Sequence, residues 1–392
     1  MSCLSSAAAA VCGAAEALLS IETAPRGNPH SGGGGGGSYG ATHARAKAAL
    51  LRHLGCESAE DCAQWEVVWT SGATEALRLA SEALPWAPGS VIVHTRENHT
   101  SALGMREYAL AAGAEAVCVE LGDASGGPPG KGFNLAEVGA FQRRIGGAQA
   151  AQGSGADGST APLAMFVLPA ECNFSGRRFS PREACTGKAF AAARLGGRSG
   201  SERGSALCVV DAARAAGGGT GAFDLRAWAG EADMVALSLY KICGYPTNLG
   251  ALLVNRGGSG ACSSLLKTGY FGGGTIDAAA VDADQVVRRG DGDGGGSCAP
   301  RLQHGTPPFA ELCAVAPAIA SLEGCRATSD AHARSVAAYA AARLAAMRHA
   351  NGAPVCRLHG RAAVVSEAGL GAATLGTSCD IDYLVKSNGG LT

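Results

Sequence analysis

Apolar and polar positions divide this chain into two kinds of segment. Short apolar runs of strand length lie at residues 65–69, 91–94, 117–121, 163–169, 206–210 and 234–239. Segments with apolar residues at helical spacing lie between many of these runs, and glycine or proline often ends a segment. Alternation of strand-like and helix-like segments predicts an α/β protein.

The predicted helices are less evenly spread than the strands. Helical spacing is found at residues 1–21, 41–54, 134–145, 310–322 and 331–347, and in a segment that starts after Gly72 and stops at Pro85. Glycine-rich stretches at residues 196–204, 257–260 and 290–296 interrupt the pattern. These stretches are interpreted as loop insertions without chemistry, because glycine abundance alone does not organise a binding site.

Composition narrows the class of protein. The chain has 392 residues, 47% of them hydrophobic, and a formal net charge of −1. It can bury a large core, and its length predicts one large and one small lobe. A near-neutral net charge provides no positive electrostatic field to attract nucleic acid or a membrane surface. The sequence also contains no run of about 18 apolar residues, so no membrane span is predicted.

The cysteines and the first residues predict the compartment. The 15 cysteines are scattered, without a Cys-x-x-Cys pair or a spaced Cys/His set, so the sequence predicts reduced thiols and no metal site. Residues 1–21 lack the positive start of a secretory signal. We therefore expect a soluble, cytoplasmic protein.

One lysine lies at a distinctive place, directly after the apolar run 234–239. Gly244 and Pro246 prevent that run from continuing, which predicts Lys241 at the end of a strand. An unpaired buried ammonium is costly, so Lys241 must reach solvent or have a partner. The simplest alternative is that Lys241 has no functional role and only extends from the strand end into solvent.

A carboxylate at the end of another run favours the functional interpretation. Asp211 ends the apolar run 30 residues before Lys241. Two adjacent parallel strands would direct both groups into one cleft. Such a pair suits pyridoxal phosphate, which binds lysine as a Schiff base and needs an acid at its pyridine nitrogen.

A phosphate site is predicted after the run 65–69. Ser71, Gly72, Ala73 and Thr74 open a helical segment there, so their backbone N–H groups and hydroxyls are placed to hold a phosphate. An ordinary helix N-cap explains the same residues.

Several longer motifs occur in one order along the chain. They are Trp69-Thr70-Ser71-Gly72-Ala73-Thr74, Asn98-His99-Thr100-Ser101-Ala102-Leu103-Gly104-Met105, Pro169-Ala170-Glu171-Cys172-Asn173-Phe174-Ser175-Gly176, Ser238-Leu239-Tyr240-Lys241-Ile242-Cys243-Gly244 and Tyr270-Phe271-Gly272-Gly273-Gly274-Thr275. This series resembles the N-terminal, cysteine-desulfurase-like domain of molybdenum cofactor sulfurases, within the class V aminotransferase group. The resemblance extends over residues 28–360.

The resemblance implies a fold and a set of residue roles. The fold is that of PLP-dependent transferases of fold type I, with a mainly parallel, seven-stranded sheet between helices. The roles are Lys241 as Schiff base and proton shuttle, Asp211 as pyridinium partner, His99 as stacking group, Asn173 as donor to the ring oxygen, and Ser71, Gly72, Ala73, Thr74, Ser238 and Thr275 as the phosphate ring. Tyr240 stands where plain cysteine desulfurases have histidine, and so favours the sulfurase branch.

The resemblance also implies an activity and partners. The activity is removal of sulfur from L-cysteine for delivery to the molybdenum cofactor. Thr275 would reach the phosphate of another subunit, which implies a homodimer. The implied division is a helical segment at 1–27, a large PLP-binding domain at 28–310 and an incomplete small C-terminal lobe at 311–392.

The ends of the chain depart from the family pattern. No motif after Gly360 matches the family's substrate-binding arginine or its sulfur-accepting cysteine, and Cys379 is the only cysteine there. The segment that normally precedes Asn28 is not recognisable either. Two alternatives therefore stay open: another class V enzyme, such as a plain cysteine desulfurase or a lyase, and a truncated paralogue without catalytic activity.

Overall fold

The computed structural model describes nine stretches of the chain. These are residues 36–122, 135–142, 161–199, 206–217, 223–245, 248–257, 261–265, 270–289 and 297–358. The helix predicted at residues 1–21 lies outside them, and so does Cys379. So do residues 359–392 of the predicted small lobe.

Helices and strands alternate through the described residues, as the hydrophobic pattern predicts. In chain order they are α1 (Gly36–His53), α2 (Ala59–Ala63), β1 (Trp65–Thr70), α3 (Ala73–Glu82), β2 (Val91–Thr95), α4 (Thr100–Leu103), α5 (Arg106–Ala111), β3 (Glu115–Leu121), β4 (Leu135–Gln142), β5 (Ala164–Pro169), α6 (Pro181–Ser199), β6 (Ala206–Asp211), α7 (Leu225–Trp228), β7 (Met234–Ser238), α8 (Leu239–Cys243), β8 (Gly250–Asn255), α9 (Ala261–Ser264), β9 (Ile276–Ala279), β10 (Val286–Arg288), α10 (Ala299–Leu302) and α11 (Phe309–Ala346).

The main sheet has the order β1-β8-β7-β6-β5-β2-β3-β4. Strands β7, β6, β5, β2 and β3 are parallel neighbours, whereas β1, β8 and β4 pair antiparallel at the two sides. The strands β1, β2, β5, β6, β7 and β8 are buried along their whole length. Continuous apolar runs are expected of strands that are covered on both faces. A mainly parallel sheet is thereby confirmed.

Each face of the sheet carries its own apolar core. Leu50 of α1 and Leu54 directly after it, with Leu195 of α6, pack in the core of one face. Leu77 of α3 and Leu110 of α5 pack in the core of the other. The sheet therefore lies between two layers of helices. Among the described residues, no helix is both long and apolar enough to cross a membrane.

The helix predicted at residues 134–145 is wrong, because residues Leu135–Gln142 form strand β4. This strand pairs antiparallel with β3 and makes the sheet eight-stranded rather than seven-stranded within the described residues. Arg194 of α6 stabilises the position of strand β4 by ion pairs to Glu115 of β3 and Glu137 of β4. The free edge of β3 supplied hydrogen-bond partners that outweighed the local helical spacing.

The two helices predicted at residues 310–322 and 331–347 are one continuous helix, α11, of 38 residues. Pro317 lies inside it without ending it, and the intervening polar residues continue the same helix. The helix packs against α1. Tertiary support of this kind overrides the weak local propensity of a polar segment.

Candidate active site

The candidate site lies where the parallel strands end. Asp211 is the last residue of β6, and it is in register with Pro169 of β5 and Ala236 of β7. The predicted pairing of two adjacent parallel strands before Asp211 and Lys241 is confirmed. Carboxyl ends of parallel strands form the usual ligand cleft of open α/β sheets.

Lys241 itself is not at a strand end. Strand β7 stops at Ser238, and Lys241 lies three residues later in the single-turn helix α8. The turn begins where the Leu239 N–H donates to the Leu249 carbonyl, and it ends at Gly244, whose φ of 77° is left-handed. This turn leaves the Lys241 side chain exposed at the cleft. The sequence had predicted the lysine at the end of the strand instead.

Two adjoining cavities form the cleft, and they share Ala73, Thr74 and Lys241. The first is lined further by Leu77, Glu97, His99, Ser101, Pro169, Glu171, Asn173, Asp211, Ala213 and Arg214. The second, of about 460 Å³, is lined further by Ser71, Gly72, Glu75, Arg78, Ser238 and Tyr240. The structure thus brings together every predicted site residue except Thr275.

Asp211 is a buried carboxylate, with 8% of its surface exposed. The backbone N–H of Ala213 donates to its Oδ1 at 3.0 Å. Burial raises the pKa of Asp211, and the Ala213 hydrogen bond and the charges of Lys241 and His99 offset this only in part. A carboxylate in this state is stabilised by any further cation or donor that enters the cleft.

His99 is held in one orientation by Ser101. The Ser101 N–H donates to His99 Nδ1 at 3.1 Å, and the Ser101 hydroxyl lies 3.0 Å from the same nitrogen. In the neutral ring the proton is therefore on Nε2. The Ser101 hydroxyl also lies 2.9 Å from the Thr74 hydroxyl, which links His99 to the start of α3.

The predicted phosphate loop precedes α3, whose first N–H groups have no partners within the helix. Gly72 is its N-cap and provides no side-chain cap. The Ser71 N–H is held by Glu75 Oε2 at 2.5 Å. Burial raises the pKa of Glu75, but hydrogen bonds from Ser71 outweigh it, and the net shift is downward. Gly72 is thus an N-cap without a side-chain partner and one donor of the loop is already used, so the phosphate role of the loop stays a prediction.

Close backbone packing fixes this loop against the sheet. A Cβ at Gly250 of β8 would lie 2.5 Å from the Cα of Gly72 and 2.6 Å from the Leu237 carbonyl oxygen. Likewise, a Cβ at Gly217 would lie 2.0 Å from the Lys241 carbonyl oxygen. Glycine at these positions lets the loop approach β8 closely and lets α8 approach the turn that follows β6.

Asn173 is exposed in the turn that follows β5. Arg177 secures that turn, since it donates to the Leu121 carbonyl at 2.6 Å and to Glu183 Oε1 at 3.0 Å. Its guanidinium also lies 4.5 Å from the centre of the Phe179 ring. The Asn173 amide therefore belongs to a turn that the contacts of Arg177 stabilise.

Three charged residues that line the first cavity, Glu97, Glu171 and Arg214, had no predicted role. Arg214, three residues after Asp211, lies 3.5 Å from Glu171 Oε1, and Glu97 lies 3.5 Å from Arg177. Burial raises the pKa of Glu97. Glu97, Glu171 and Arg214 lie close in sequence to His99, Asn173 and Asp211. This proximity could have identified them as cleft residues, because residues next to a site at a strand end line the same cleft.

Thr275 does not line the cleft in this chain. Its hydroxyl donates to the Gly272 carbonyl at 2.7 Å, within the glycine loop. A role for Thr275 in the site of another subunit stays a prediction.

The residues present fit pyridoxal phosphate. An amine, a buried carboxylate and a helix N-terminus surround one open cleft, which is the donor set that this cofactor requires. The sheet and the cleft together define the class of fold-type-I transferases.

The family follows from comparison with known proteins. The sequence profile of the Aminotransferase class-V family matches residues 179–380. The chain belongs to this family.

Two curated relatives are similar over most of this chain. The molybdenum cofactor sulfurase of Solanum lycopersicum is 36% identical over 301 residues, which is 76% of this chain and 34% of that protein. The enzyme of the same name from Arabidopsis thaliana is 34% identical over 85% of this chain and 39% of its own length. The chain therefore spans little more than a third of the curated relatives it matches.

Solved structures support the fold. A cysteine desulfurase from Escherichia coli superposes with a TM-score of 0.54 at 18% identity, over 86% of this chain and 71% of that one. At this identity the likeness supports the architecture alone.

Proposed function

We propose that this chain is the PLP-binding part of an enzyme that removes sulfur from L-cysteine and supplies it to the molybdenum cofactor. The observation that carries the proposal is the single cleft that holds Lys241, Asp211, His99 and Asn173. The similarity to molybdenum cofactor sulfurases over most of the chain supports this substrate over that of other class V enzymes.

Each cleft residue has a proposed place around the cofactor. Lys241 holds the aldehyde, Asp211 the pyridine nitrogen, and Asn173 the ring oxygen. The loop from Ser71 to Thr74, with Ser238, holds the phosphate. When bound, pyridoxal phosphate supplies an electron-withdrawing ring that accommodates negative charge on the substrate.

The chain's own groups provide charge and proton transfer. Burial raises the pKa of Asp211, because the negative charge of its carboxylate is only partly compensated. A protonated ring nitrogen next to Asp211 would supply the missing positive charge. His99 presents an Nε2–H, because Ser101 occupies Nδ1. The Lys241 amine is positioned to take a proton from the substrate and to return it.

The cysteines beside the cleft residues are poor sulfur acceptors. Cys243, two residues after Lys241, is buried, and its thiol donates to the Tyr245 carbonyl at 2.9 Å. Burial raises its pKa to about 11. Cys172, next to Asn173, is fully buried. A thiolate is the nucleophile in persulfide formation, so neither residue is suited to it.

A homodimer is part of the proposal. Phe174, Tyr240 and Tyr270 are exposed, with 58%, 45% and 67% of their surfaces accessible. Aromatic side chains of this size are enriched at protein interfaces. Sedimentation of the purified chain tests this, and a monomer at micromolar concentration would contradict it.

Cofactor attachment is the first experiment. Purified protein should bind pyridoxal phosphate with visible absorbance, and borohydride should fix the cofactor to Lys241 in a peptide map. Lys241→Ala should lose both signals, whereas the control Lys47→Ala on α1 should keep them. Attachment to another lysine, or none, would overturn the assignment.

Substrate choice is the second experiment. L-Cysteine should change the absorbance of the cofactor-loaded protein but yield little sulfide with a thiol reductant, because Cys172 and Cys243 beside the cleft are buried, and L-kynurenine should not change the absorbance. No spectral change with L-cysteine would favour the non-catalytic paralogue, and turnover of L-kynurenine would favour a lyase.

A further inference from the structure

Two cysteines that are distant in sequence meet in the interior. Cys262 Sγ in α9 lies 3.4 Å from Cys298 Sγ, at the start of α10. Both are buried, with 6% of Cys262 and none of Cys298 exposed. Cys262 Sγ also lies 3.8 Å from Glu66 Oε2, so two thiols and a carboxylate form one buried cluster.

Glu66 already has several hydrogen-bond donors. Its Oε1 accepts from the Ala299 N–H at 2.8 Å and from the Ser297 hydroxyl. Its Oε2 accepts from the Cys298 N–H at 3.2 Å. The carboxylate thus fixes the start of α10 to strand β1 and keeps Cys298 in contact with Cys262.

The surroundings of the cluster disfavour a metal cation. Among the described residues, only three ligand groups come together here, whereas zinc takes four. The guanidinium of Arg301 donates to the Cys262 carbonyl at 2.8 Å, so a fixed positive charge already lies beside the thiols. Two thiols in van der Waals contact are instead placed to bond to each other.

We propose that Cys262 and Cys298 are a redox-active dithiol, which a peroxide oxidises to an intramolecular disulfide. The Sγ atoms need to approach by roughly 1.4 Å to reach the S–S bond length of about 2.05 Å, which side-chain rotation can provide.

The oxidation balances with hydrogen peroxide as the two-electron oxidant. Cys262 passes its proton to Glu66, and its sulfur attacks one peroxide oxygen and breaks the O–O bond. This gives a sulfenic acid and one water, with the Glu66 proton returned to the departing hydroxide. Cys298 sulfur then attacks Cys262 sulfur, the S–S bond forms, the S–O bond breaks, and the Cys298 proton leaves in the second water.

Cys262 is the thiol that reacts first. A hydrogen bond from Cys298 lowers the pKa of Cys262, whereas the same bond and burial raise the pKa of Cys298. Cys262 is also the more exposed of the two. A low-pKa thiol next to a second thiol is the usual arrangement of a redox-sensitive pair.

The dithiol lies away from the cleft. Glu66 is four residues before Thr70 on β1, which places it about 13 Å from the cleft end of that strand. The bridge would close a loop of 36 residues that contains the glycine loop Tyr270–Thr275 and the hairpin β9–β10. Oxidation should therefore constrain this segment.

Disulfide mapping tests the proposal. Reduced protein is treated with a small excess of hydrogen peroxide, digested without reductant, and analysed by mass spectrometry. We expect the Cys262–Cys298 linked peptide to become the main oxidised species, and the melting temperature to rise by roughly 4 °C. Cys298→Ser should lose both effects, and the control Cys313→Ser on α11 should keep them.

Two results would overturn the proposal that Cys262 and Cys298 are a redox-active dithiol. One is oxidation of other cysteines without the Cys262–Cys298 link in protein that still melts cooperatively. The other is one equivalent of zinc retained by the reduced protein after dialysis and lost in Cys298→Ser, which would make the cluster a metal site.

Discussion

Gly250→Ala is expected to displace the predicted phosphate loop. The new Cβ would lie 2.5 Å from Gly72 Cα, 2.6 Å from the Gly72 carbonyl carbon and 2.6 Å from the Leu237 carbonyl oxygen. Ordinary contacts of this kind are about 3.4–4.0 Å, so the backbone at Gly72 or β8 has to move by about 1 Å. All three atoms belong to the backbone, and no side-chain rotation relieves the overlap.

The size of the effect follows from overpacking. Inserting a methyl group into a filled interior destabilises by about 1–3 kcal/mol, and a purely backbone clash belongs at the upper end. For a protein of this size, about 3 kcal/mol corresponds to a melting temperature lower by roughly 4 °C. Because the displaced loop is proposed to provide the phosphate donors, the affinity for pyridoxal phosphate should fall at least about tenfold.

The assay combines thermal unfolding with a cofactor titration followed by absorbance. Gly139→Ala is the matched control, since Gly139 is also in a strand but has open space where its Cβ would be. That variant should keep the wild-type affinity and be neutral or more stable by up to about 1 kcal/mol. Wild-type stability and affinity in Gly250→Ala would refute the proposed packing of the loop on β8.

Three further predictions concern buried charges. Asp211→Asn should stabilise the cofactor-free protein at neutral pH, because the folded-state pKa of Asp211 is raised and its ionised form is penalised. The same variant should lose about 1.5–3 kcal/mol of the stabilisation by pyridoxal phosphate in thermal-shift measurements, and an unchanged cofactor effect would remove Asp211 from the site. Burial lowers the pKa of His94 to about 4, so the unfolded chain binds the proton first, and the free energy of unfolding should fall by up to about 1.4 kcal/mol per unit as pH drops from 6.5 to 4. Urea titrations should find this slope reduced in His94→Gln, and equal slopes would contradict it. Arg194→Met should remove the ion pairs to the buried Glu115 and to Glu137 and cost about 2 kcal/mol, with faster hydrogen exchange in β4, whereas unchanged protection there would argue against the ion pairs as its anchor.

Local patterns were sufficient for the buried strands β1, β2, β5, β6 and β7 and for much of the cleft, but they did not predict the buried strand β8. Each central strand is a continuous apolar run, and such runs report burial on both faces whatever surrounds them. Asp211 ends a strand and the loop at Gly72 follows one, so the position of these residues at the sheet's edge was predictable. Lys241 was placed correctly at the cleft but in the wrong element, because Leu239 is equally suited to a strand or to a helical turn.

Only the tertiary structure decided which distant residues meet. Strand β4 formed because the edge of β3 was available, although its own residues are spaced as in a helix. Glu66, Cys262 and Cys298 come together because β1 pairs with β8, and α9 and α10 pack beside them, while the chain separates these residues by up to 232 positions. Periodicity describes which face of an element is buried, and therefore cannot identify the partner across a long loop.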